Sequence, residues 1–235
     1  MNPEYTPEDI LTLINKLNKE QQVELFQKLK ESLHSLHKLE ILWNINHELI
    51  LDAILRSADI TQRGVRGVIA EAVFKYKIID NLKEWKDITP EGQNPFDFLL
   101  KDKESEVKIQ VKLQRMEKGK PVITTAKTKR FISDMFIVET QKTRSGKDKA
   151  GEKTRPYRFG EFDILAVNLH PSTGDWNSFA FTISRWLIPS LENTEWMNTF
   201  QPIPGSRNDD WTNDFNEAVS WFRSNIKKKI KGERE

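Results

Sequence analysis

The sequence predicts an α/β (α+β) fold, in which a mixed central sheet is flanked by helices and follows an N-terminal helical region. Over residues 6–57, apolar residues recur at the spacing of amphipathic helices. Further along the chain, short apolar segments bounded by turns indicate strands at 94–100, 107–113, 162–169 and 179–187. We therefore predict a helical region over 1–60 and a sheet-containing domain over 61–235.

The N-terminal region begins with a helix-start signal. Thr6 is a capping residue, Pro7 suits the first helical position, and two acids follow in the first turn. A second helix is expected over 23–42, and it either continues or breaks before the apolar residues of 45–54. These helices would form a scaffold over the sheet, a dimerisation surface, or both.

A further helix is predicted over residues 61–79, and it carries a carboxylate among small side chains. That residue, Glu71, either faces solvent or reaches from the helix toward a functional site. Gly64 and Gly67 weaken the start of the helix by about 1 kcal/mol each relative to alanine. They also allow another surface, such as a phosphate, to approach the backbone closely.

The first two predicted strands carry the most informative residues of the chain. Asp97 lies in the first strand, while Gln110 and Lys112 lie two apart in the second and so share one face. An acid, a second oxygen ligand and a lysine at one sheet edge form a minimal set for metal-assisted phosphodiester cleavage. The alternative is that Asp97 forms an ordinary ion pair with Lys112 or Lys108.

The C-terminal part of the chain is predicted from its apolar spacing. Residues 135–138 indicate a strand, and 211–231 predict an amphipathic helix. The lysines at 227–229 would then lie in the last turn, where they suit the helix dipole. Asp163, at the start of the predicted strand 162–169, is expected to be structural, to contact nucleic acid or to be a metal ligand.

Composition excludes several classes of protein. The 235 residues are 37% hydrophobic and 31% charged, and they contain no cysteine. Disulfides and thiolate metal sites are therefore excluded, and no apolar run approaches the roughly 20 residues that span a bilayer. We expect a cytoplasmic protein without a membrane segment. The four histidines do not resemble a zinc site, so a metal would be held by oxygen ligands, which favours Mg²⁺.

Positive charge is concentrated in one part of the chain. Residues 112–158 contain 14 Lys and Arg against five Asp and Glu, an excess of +9, although the whole chain carries only +2. Such an excess beside a candidate metal site suggests a polyanionic substrate. The alternative is a solvated, lysine-rich surface loop.

The order of these elements resembles the PD-(D/E)XK nuclease superfamily, and type II restriction endonucleases in particular. The resemblance runs from about residue 61 to 113, with weaker agreement as far as 187. The motif consists of Pro95-Phe96-Asp97 and Gln110-Val111-Lys112. It departs from the family pattern in two places, because Phe96 is inserted between the proline and the aspartate, and Gln110 stands where an acid is usual.

The resemblance implies a site and a mechanism. Asp97, the Gln110 side-chain oxygen, the Val111 carbonyl and Glu71 would hold Mg²⁺, and Lys112 would orient the attacking water. Because a neutral amide is a weaker Mg²⁺ ligand than a carboxylate, Glu71 gains importance as a second charge. Cleavage of palindromic double-stranded DNA implies a homodimer, and restriction implies a companion DNA methyltransferase that acts on the same sequence.

The polar and basic loop 141–158 is the expected DNA-recognition segment. Arginine reads guanine edges, glutamine can read adenine, and lysine mainly contacts phosphate. The candidate DNA-contacting residues are Gln141, Lys142, Arg144, Lys147, Arg155, Tyr157 and Arg158.

Two other functions remain open from the sequence. The chain could be a catalytically weak or inactive nuclease-fold protein that binds DNA without cutting it, which Gln110 in place of an acid would favour. It could also be a repair, phage or RNA nuclease with the same fold.

Overall fold

A computed structural model describes residues 5–33, 37–127, 130–131, 135–142, 146, 151 and 154–231. The chain divides into two compact units, Met1–Gln62 and Arg63–Glu235. Within the described residues, every helix is too short or too polar to span a bilayer.

The first unit consists of short helices with well-defined caps: α1 (Pro7–Asn15), α2 (Lys19–Leu33), α3 (Lys38–Trp43) and α4 (His47–Arg56). At the start of α1, the Thr6 side chain and the Asp9 carboxylate form a reciprocal capping box. The single helix predicted over 23–42 is wrong, because α2 ends before His37, which caps the separate helix α3. Asn44, in the left-handed conformation with φ 50°, then ends α3.

Most apolar side chains of the first unit are exposed. Leu42 and Leu55 are 75% and 73% exposed, and the helices α1 and α4 contain no buried residue. The buried residue among the side chains described in this unit is Glu40, whose Oε1 accepts hydrogen bonds of 2.8 Å from the backbone N–H and the ring Nδ1 of His47. The join between α3 and α4 is therefore polar.

A five-stranded mixed sheet forms the centre of the second unit, which confirms the predicted fold class. The described strands are β1 (Lys86–Asp87), β2 (Phe98–Lys101), β3 (Glu106–Leu113), β4 (Met116–Glu117), β5 (Lys120–Pro121), β6 (Phe136–Glu139), β7 (Ile164–Asn168), β8 (Phe179–Ile183) and β9 (Phe200–Ile203). The central order is β1-β2-β3-β7-β8, in which the β3–β7 pair is parallel and the other pairs are antiparallel. Two small sheets, β4-β5 and β6-β9, lie outside it.

Helices α5 (Asp59–Lys77) and α7 (Phe215–Arg223) cover the sheet through a cluster of aromatic rings. Phe74 of α5 is fully buried, and its ring centroid lies 5.5 Å from Phe179 and 6.3 Å from Phe215 of α7. The β7 and β8 strands are buried along their whole length, as expected for strands covered on both faces. A short helix, α6 (His170–Thr173), occupies the predicted turn between them.

The C-terminal helix is shorter than predicted. Asp214 caps α7 through its side chain, and the left-handed Asn225, with φ 55°, follows the helix end. The lysines at 227–229 therefore lie beyond the helix, so the proposed interaction with its dipole is wrong. The chain continues without helix or strand to the buried Ile230, whose N–H donates to the Trp186 carbonyl oxygen at 2.8 Å.

Candidate active site

Backbone pairing between β2 and β3 places the Asp97 carboxylate. Asp97 immediately precedes β2 rather than lying within it, but its N–H still donates to the Ile109 carbonyl oxygen at 2.9 Å. Its Oδ2 atom accepts hydrogen bonds from the Val111 N–H, at 2.7 Å, and from Gln110 Nε2. Two hydrogen bonds from β3 residues therefore hold the carboxylate beside the middle of that strand.

The Gln110 amide is buried, with an exposed fraction of 2%, and both of its ends have partners. Its Nε2 donates to Asp97 Oδ2 and, at 3.1 Å, to the Val111 carbonyl oxygen. Its Oε1 accepts a 3.0 Å hydrogen bond from the Tyr157 hydroxyl. In this orientation the amide presents N–H groups to the aspartate and its oxygen to the tyrosine.

Lys112 lies two residues further along β3, on the same face as Gln110. Its Nζ atom lies 5.3 Å from the centroid of the Tyr157 ring, and Lys142 Nζ lies at the same distance from that ring. The charge of Lys112 also interacts with the carboxylates of Asp97 and Glu71. The lysine therefore lies between an aromatic face and two acids.

A cleft of about 680 Å³ brings these side chains together. Residues from three separate parts of the chain line it: Glu71 of α5, Asp97 before β2, and Gln110 and Lys112 of β3. The turn before β2, residues 89–96, contributes much of the remaining wall. The side chains that the sequence suggested for catalysis thus share one cavity.

Burial and mutual charge perturb the titrating groups of the cleft. Burial and, to a smaller extent, the nearby charge of Asp97 together raise the pKa of Glu71 to about 7, although Lys112 opposes both effects. Burial likewise raises the pKa of Asp97, against the stabilising charge of Lys112. The pKa of Lys112 is lowered by burial, although both carboxylates favour its charged form. Such opposed shifts are typical of functional clefts.

Two oxygens of the cleft converge on one point. Asp97 Oδ2 and the Val111 carbonyl oxygen both accept from Gln110 Nε2, whose hydrogens carry partial positive charge. The same oxygens would attract a cation, and the donor set fits Mg²⁺ if the Gln110 oxygen faces this point. The described residues contain no group of three or more His, Cys, Asp or Glu that could hold a metal. A cation here would therefore depend on amide and backbone oxygens as well as on carboxylates.

The two ends of the predicted DNA-recognition loop pair with each other. Gln141 and Pro156 form an antiparallel bridge, and the Lys142 N–H donates to the Arg155 carbonyl oxygen at 2.9 Å. We call residues 141–142 and 155–156 the loop stem. Of the loop's candidate residues, Arg144 and Lys147 lie outside the described part of the chain.

Acidic and polar partners surround the other candidate DNA contacts. Lys142 Nζ lies 2.5 Å from Glu161 Oε1, and Arg155 Nη2 lies 3.5 Å from Glu139 Oε1. The Gln141 side chain donates to the Thr199 hydroxyl at 2.8 Å. The Arg158 N–H donates to Glu161 Oε2 at 2.9 Å. The positive excess of this region is therefore partly neutralised within the fold.

Tyr157 differs from the expectation that it contacts DNA. It is 4% exposed and belongs to the buried core, and its hydroxyl is bonded to Gln110. Asp163 has a structural role, which is one of the roles expected from the sequence. Its Oδ2 atom accepts a hydrogen bond from the Lys108 N–H at 2.8 Å. The contact of Tyr157 with Gln110 cannot be predicted from the sequence, because no periodic pattern links residues 47 positions apart.

No model of a known protein family matches the sequence, and no curated protein matches it. Among solved structures, the bacterial homing endonuclease I-Ssp6803I aligns with a TM-score of 0.38 and 16% identity, covering 68% of this chain and 91% of that chain. MepB aligns with a TM-score of 0.29 and 15% identity, covering 66% of this chain and 93% of that chain. Scores this low carry no information on activity, so an activity must be argued from the chemistry of the cleft.

Proposed function

We propose that the protein is a Mg²⁺-dependent DNA endonuclease, specifically a type II restriction endonuclease that hydrolyses double-stranded DNA at a short specific sequence. The observation that carries this proposal is the meeting of Asp97, Gln110, Lys112 and Glu71 in one cleft. Two acids and an amide oxygen can hold a divalent cation, and a lysine can stabilise the negative charge that develops during phosphodiester hydrolysis.

The acids and the oxygens of the amide and backbone form the proposed cation site. Asp97, the Gln110 side-chain oxygen, the Val111 carbonyl and Glu71 would hold Mg²⁺ in the cleft. Bound Mg²⁺ would neutralise phosphate charge and lower the pKa of a bound water molecule, which favours its conversion to a nucleophile. Because Gln110 is uncharged, Asp97 and Glu71 provide the negative charge of the site.

Lys112 would contact the attacking water and the phosphate oxygens. Water attacks phosphorus, one P–O ester bond breaks, and negative charge grows on the non-bridging oxygens and on the leaving oxygen. The Lys112 ammonium orients the water and stabilises that charge. Its partial burial strengthens both interactions, because water screens them less.

DNA recognition is assigned to loop 141–158 and the surrounding basic residues. The excess of +9 over residues 112–158 supports binding of a polyanion. A palindromic target requires two copies of the cleft, so the active species would be a homodimer, with the exposed apolar helices of the first unit as its interface. A DNA methyltransferase specific for the same sequence would protect the host DNA.

One observation favours a second candidate, a nuclease-fold protein that binds DNA without cutting it. The Gln110 N–H₂ group, rather than a ligand oxygen, faces Asp97. A protein fixed in that orientation would bind DNA independently of Mg²⁺.

Digestion of unmethylated phage and plasmid DNA tests the proposal. The full-length protein, Lys112→Ala and Lys101→Ala are compared in Mg²⁺ and in EDTA. Lys101 is the matched control, since it lies on the adjacent strand β2, is 54% exposed, and does not line the cleft.

We expect discrete fragments in Mg²⁺ from the parent protein and from Lys101→Ala, and none from Lys112→Ala or in EDTA. Smears that Lys112→Ala abolishes would retain the nuclease but remove the restriction specificity. Salt-sensitive DNA binding without cleavage would replace the proposal with the non-cutting alternative.

A further inference from the structure

The contact between Tyr157 and Gln110 has a property that the proposed function does not use. A side-chain amide has an oxygen acceptor at one end and an N–H₂ donor at the other, whereas a phenolic hydroxyl both donates and accepts. Tyr157 can therefore hydrogen bond to either end of the amide. In the structure its hydroxyl donates to Gln110 Oε1 over 3.0 Å.

On the side of the amide away from Tyr157, the surrounding groups favour only the N–H₂ end when a cation is absent. Asp97 Oδ2 and the Val111 carbonyl oxygen are both acceptors, so they favour the N–H₂ group, which occupies that side. A cation near the same two oxygens would repel the N–H₂ group and attract the amide oxygen. Rotation of the amide by about 180° would satisfy the cation, and Nε2 would then donate to the Tyr157 hydroxyl.

Contacts other than the one with Gln110 fix the position of the Tyr157 hydroxyl. The Tyr157 ring packs edge-on against Phe162, with centroids 5.3 Å apart and an interplanar angle of 89°. Its carbonyl oxygen accepts from the Met197 N–H at 2.8 Å, and Lys112 and Lys142 flank the ring. The hydroxyl therefore stays in place while the amide rotates.

We propose that Tyr157 is a positioning residue that holds the Gln110 amide in two exchangeable orientations, so that the glutamine shields Asp97 when the cation is absent and becomes an oxygen ligand when it binds. The inference rests on the proposed function, since it assumes that the cleft takes a divalent cation. It explains how an amide serves at a position where a carboxylate is the simpler ligand. A carboxylate has two equivalent oxygens and needs no such partner.

The inference predicts that Tyr157 matters only while residue 110 is an amide. Mn²⁺ binding to the full-length protein, without DNA, is measured by calorimetry in a double-mutant cycle. The variants are Tyr157→Phe, Gln110→Glu and the double variant, with Tyr76→Phe as the matched control on the exposed face of α5, where Tyr76 is 69% exposed. Tyr157→Phe retains the ring and its packing, and urea melts check that the fold is intact.

Because the hydroxyl bonds the amide in both orientations, only the difference between the two hydrogen bonds affects Mn²⁺ binding. A cation on the amide oxygen polarises Nε2 and strengthens its hydrogen bond to Tyr157, so we expect Tyr157→Phe to weaken Mn²⁺ binding by about 3-fold to 5-fold when residue 110 is glutamine. In the Gln110→Glu background the same change should alter binding by less than about 2-fold. Tyr76→Phe should leave binding unchanged. A merely structural tyrosine would instead weaken binding equally in both backgrounds.

Equal losses in the two backgrounds, or no loss in either, would overturn the inference. Failure of the proposed function has a different signature. If the cycle shows the expected coupling but the parent protein does not cut DNA, the positioning role stands and the nuclease assignment falls. If DNA is cut and the coupling is absent, only the positioning role falls. If the parent protein binds no Mn²⁺, the positioning role falls regardless of cleavage.

Discussion

The substitution Glu71→Gln probes the electrostatics of the cleft through protein stability. Burial and, to a smaller extent, the charge of Asp97 raise the pKa of Glu71 from 4.5 to about 7, against the opposing charge of Lys112. Between these two pH values, the folded protein holds a proton that the unfolded chain has released. The group therefore contributes stability that is fully present below pH 4.5 and is lost as the pH rises through about 7.

The expected size of the effect follows from the shift. The difference between 4.5 and about 7 is about 2.5 pKa units, or roughly 3.4 kcal/mol at 1.36 kcal/mol per unit. Because the carboxyl group is partly exposed to water in the cleft, screening reduces this to about 1–2 kcal/mol. Glutamine is neutral at every pH, so Glu71→Gln should match the parent near pH 4.5 and exceed its stability by about 1–2 kcal/mol at pH 8.

Urea unfolding in EDTA at several pH values between 5 and 8 measures this difference. Tryptophan fluorescence is a suitable signal, because every tryptophan except Trp43 lies in the second unit, with Glu71. The exposed Glu91 supplies the control, and Glu91→Gln should follow the pH dependence of the parent. A constant offset between Glu71→Gln and the parent, or an advantage that shrinks as the pH rises, would refute the reasoning.

Three further substitutions test the fold. Phe74→Ala should cost about 3–5 kcal/mol of unfolding free energy in urea melts, since the fully buried ring contacts other aromatic rings on the sheet and on α7. Asp102→Ala should cost about 1–3 kcal/mol in the same assay, because it removes turn hydrogen bonds and the 2.5 Å contact with Arg223. Thr6→Ala should destabilise α1 by about 1 kcal/mol, measured as faster amide hydrogen exchange, through loss of the capping box. An unfolding free energy or an exchange rate equal to that of the parent would show that the contact removed does not stabilise the fold.

Local patterns predicted the strand pair that carries the site. Gln110 and Lys112 share a face because side chains alternate along any strand, and this alternation can be seen in the sequence alone. Apolar spacing also predicted a C-terminal helix that is too long, because this spacing continues past Ser224 whereas α7 ends at Arg223. Asn225, a residue type that readily adopts the left-handed conformation, follows the helix end, and the N–H of Ile230 then bonds to the Trp186 carbonyl oxygen, a contact that periodicity does not reveal.

Other features could not be derived from short-range patterns. Strand β9 contains Pro202, which cannot donate to a neighbouring strand, so its sequence does not indicate a strand. It nevertheless pairs with β6, with Pro202 opposite Ile137. The contact between Gln110 and Tyr157 is also long-range in sequence. Tyr157 lies in the connection between β3 and β7, 47 residues after Gln110.

The closed stem at residues 141–142 and 155–156 has a consequence for how the length of the loop could change. The stem hydrogen bonds join the two ends of the loop to each other, so the length of the intervening segment is not set by the positions of β6 and β7. Doubling the length of a flexible loop costs only about 0.6 kcal/mol in closure entropy. The segment between the two sides of the stem could therefore be replaced by one of another length, by evolution or by engineering, while β3 and β7 keep their register.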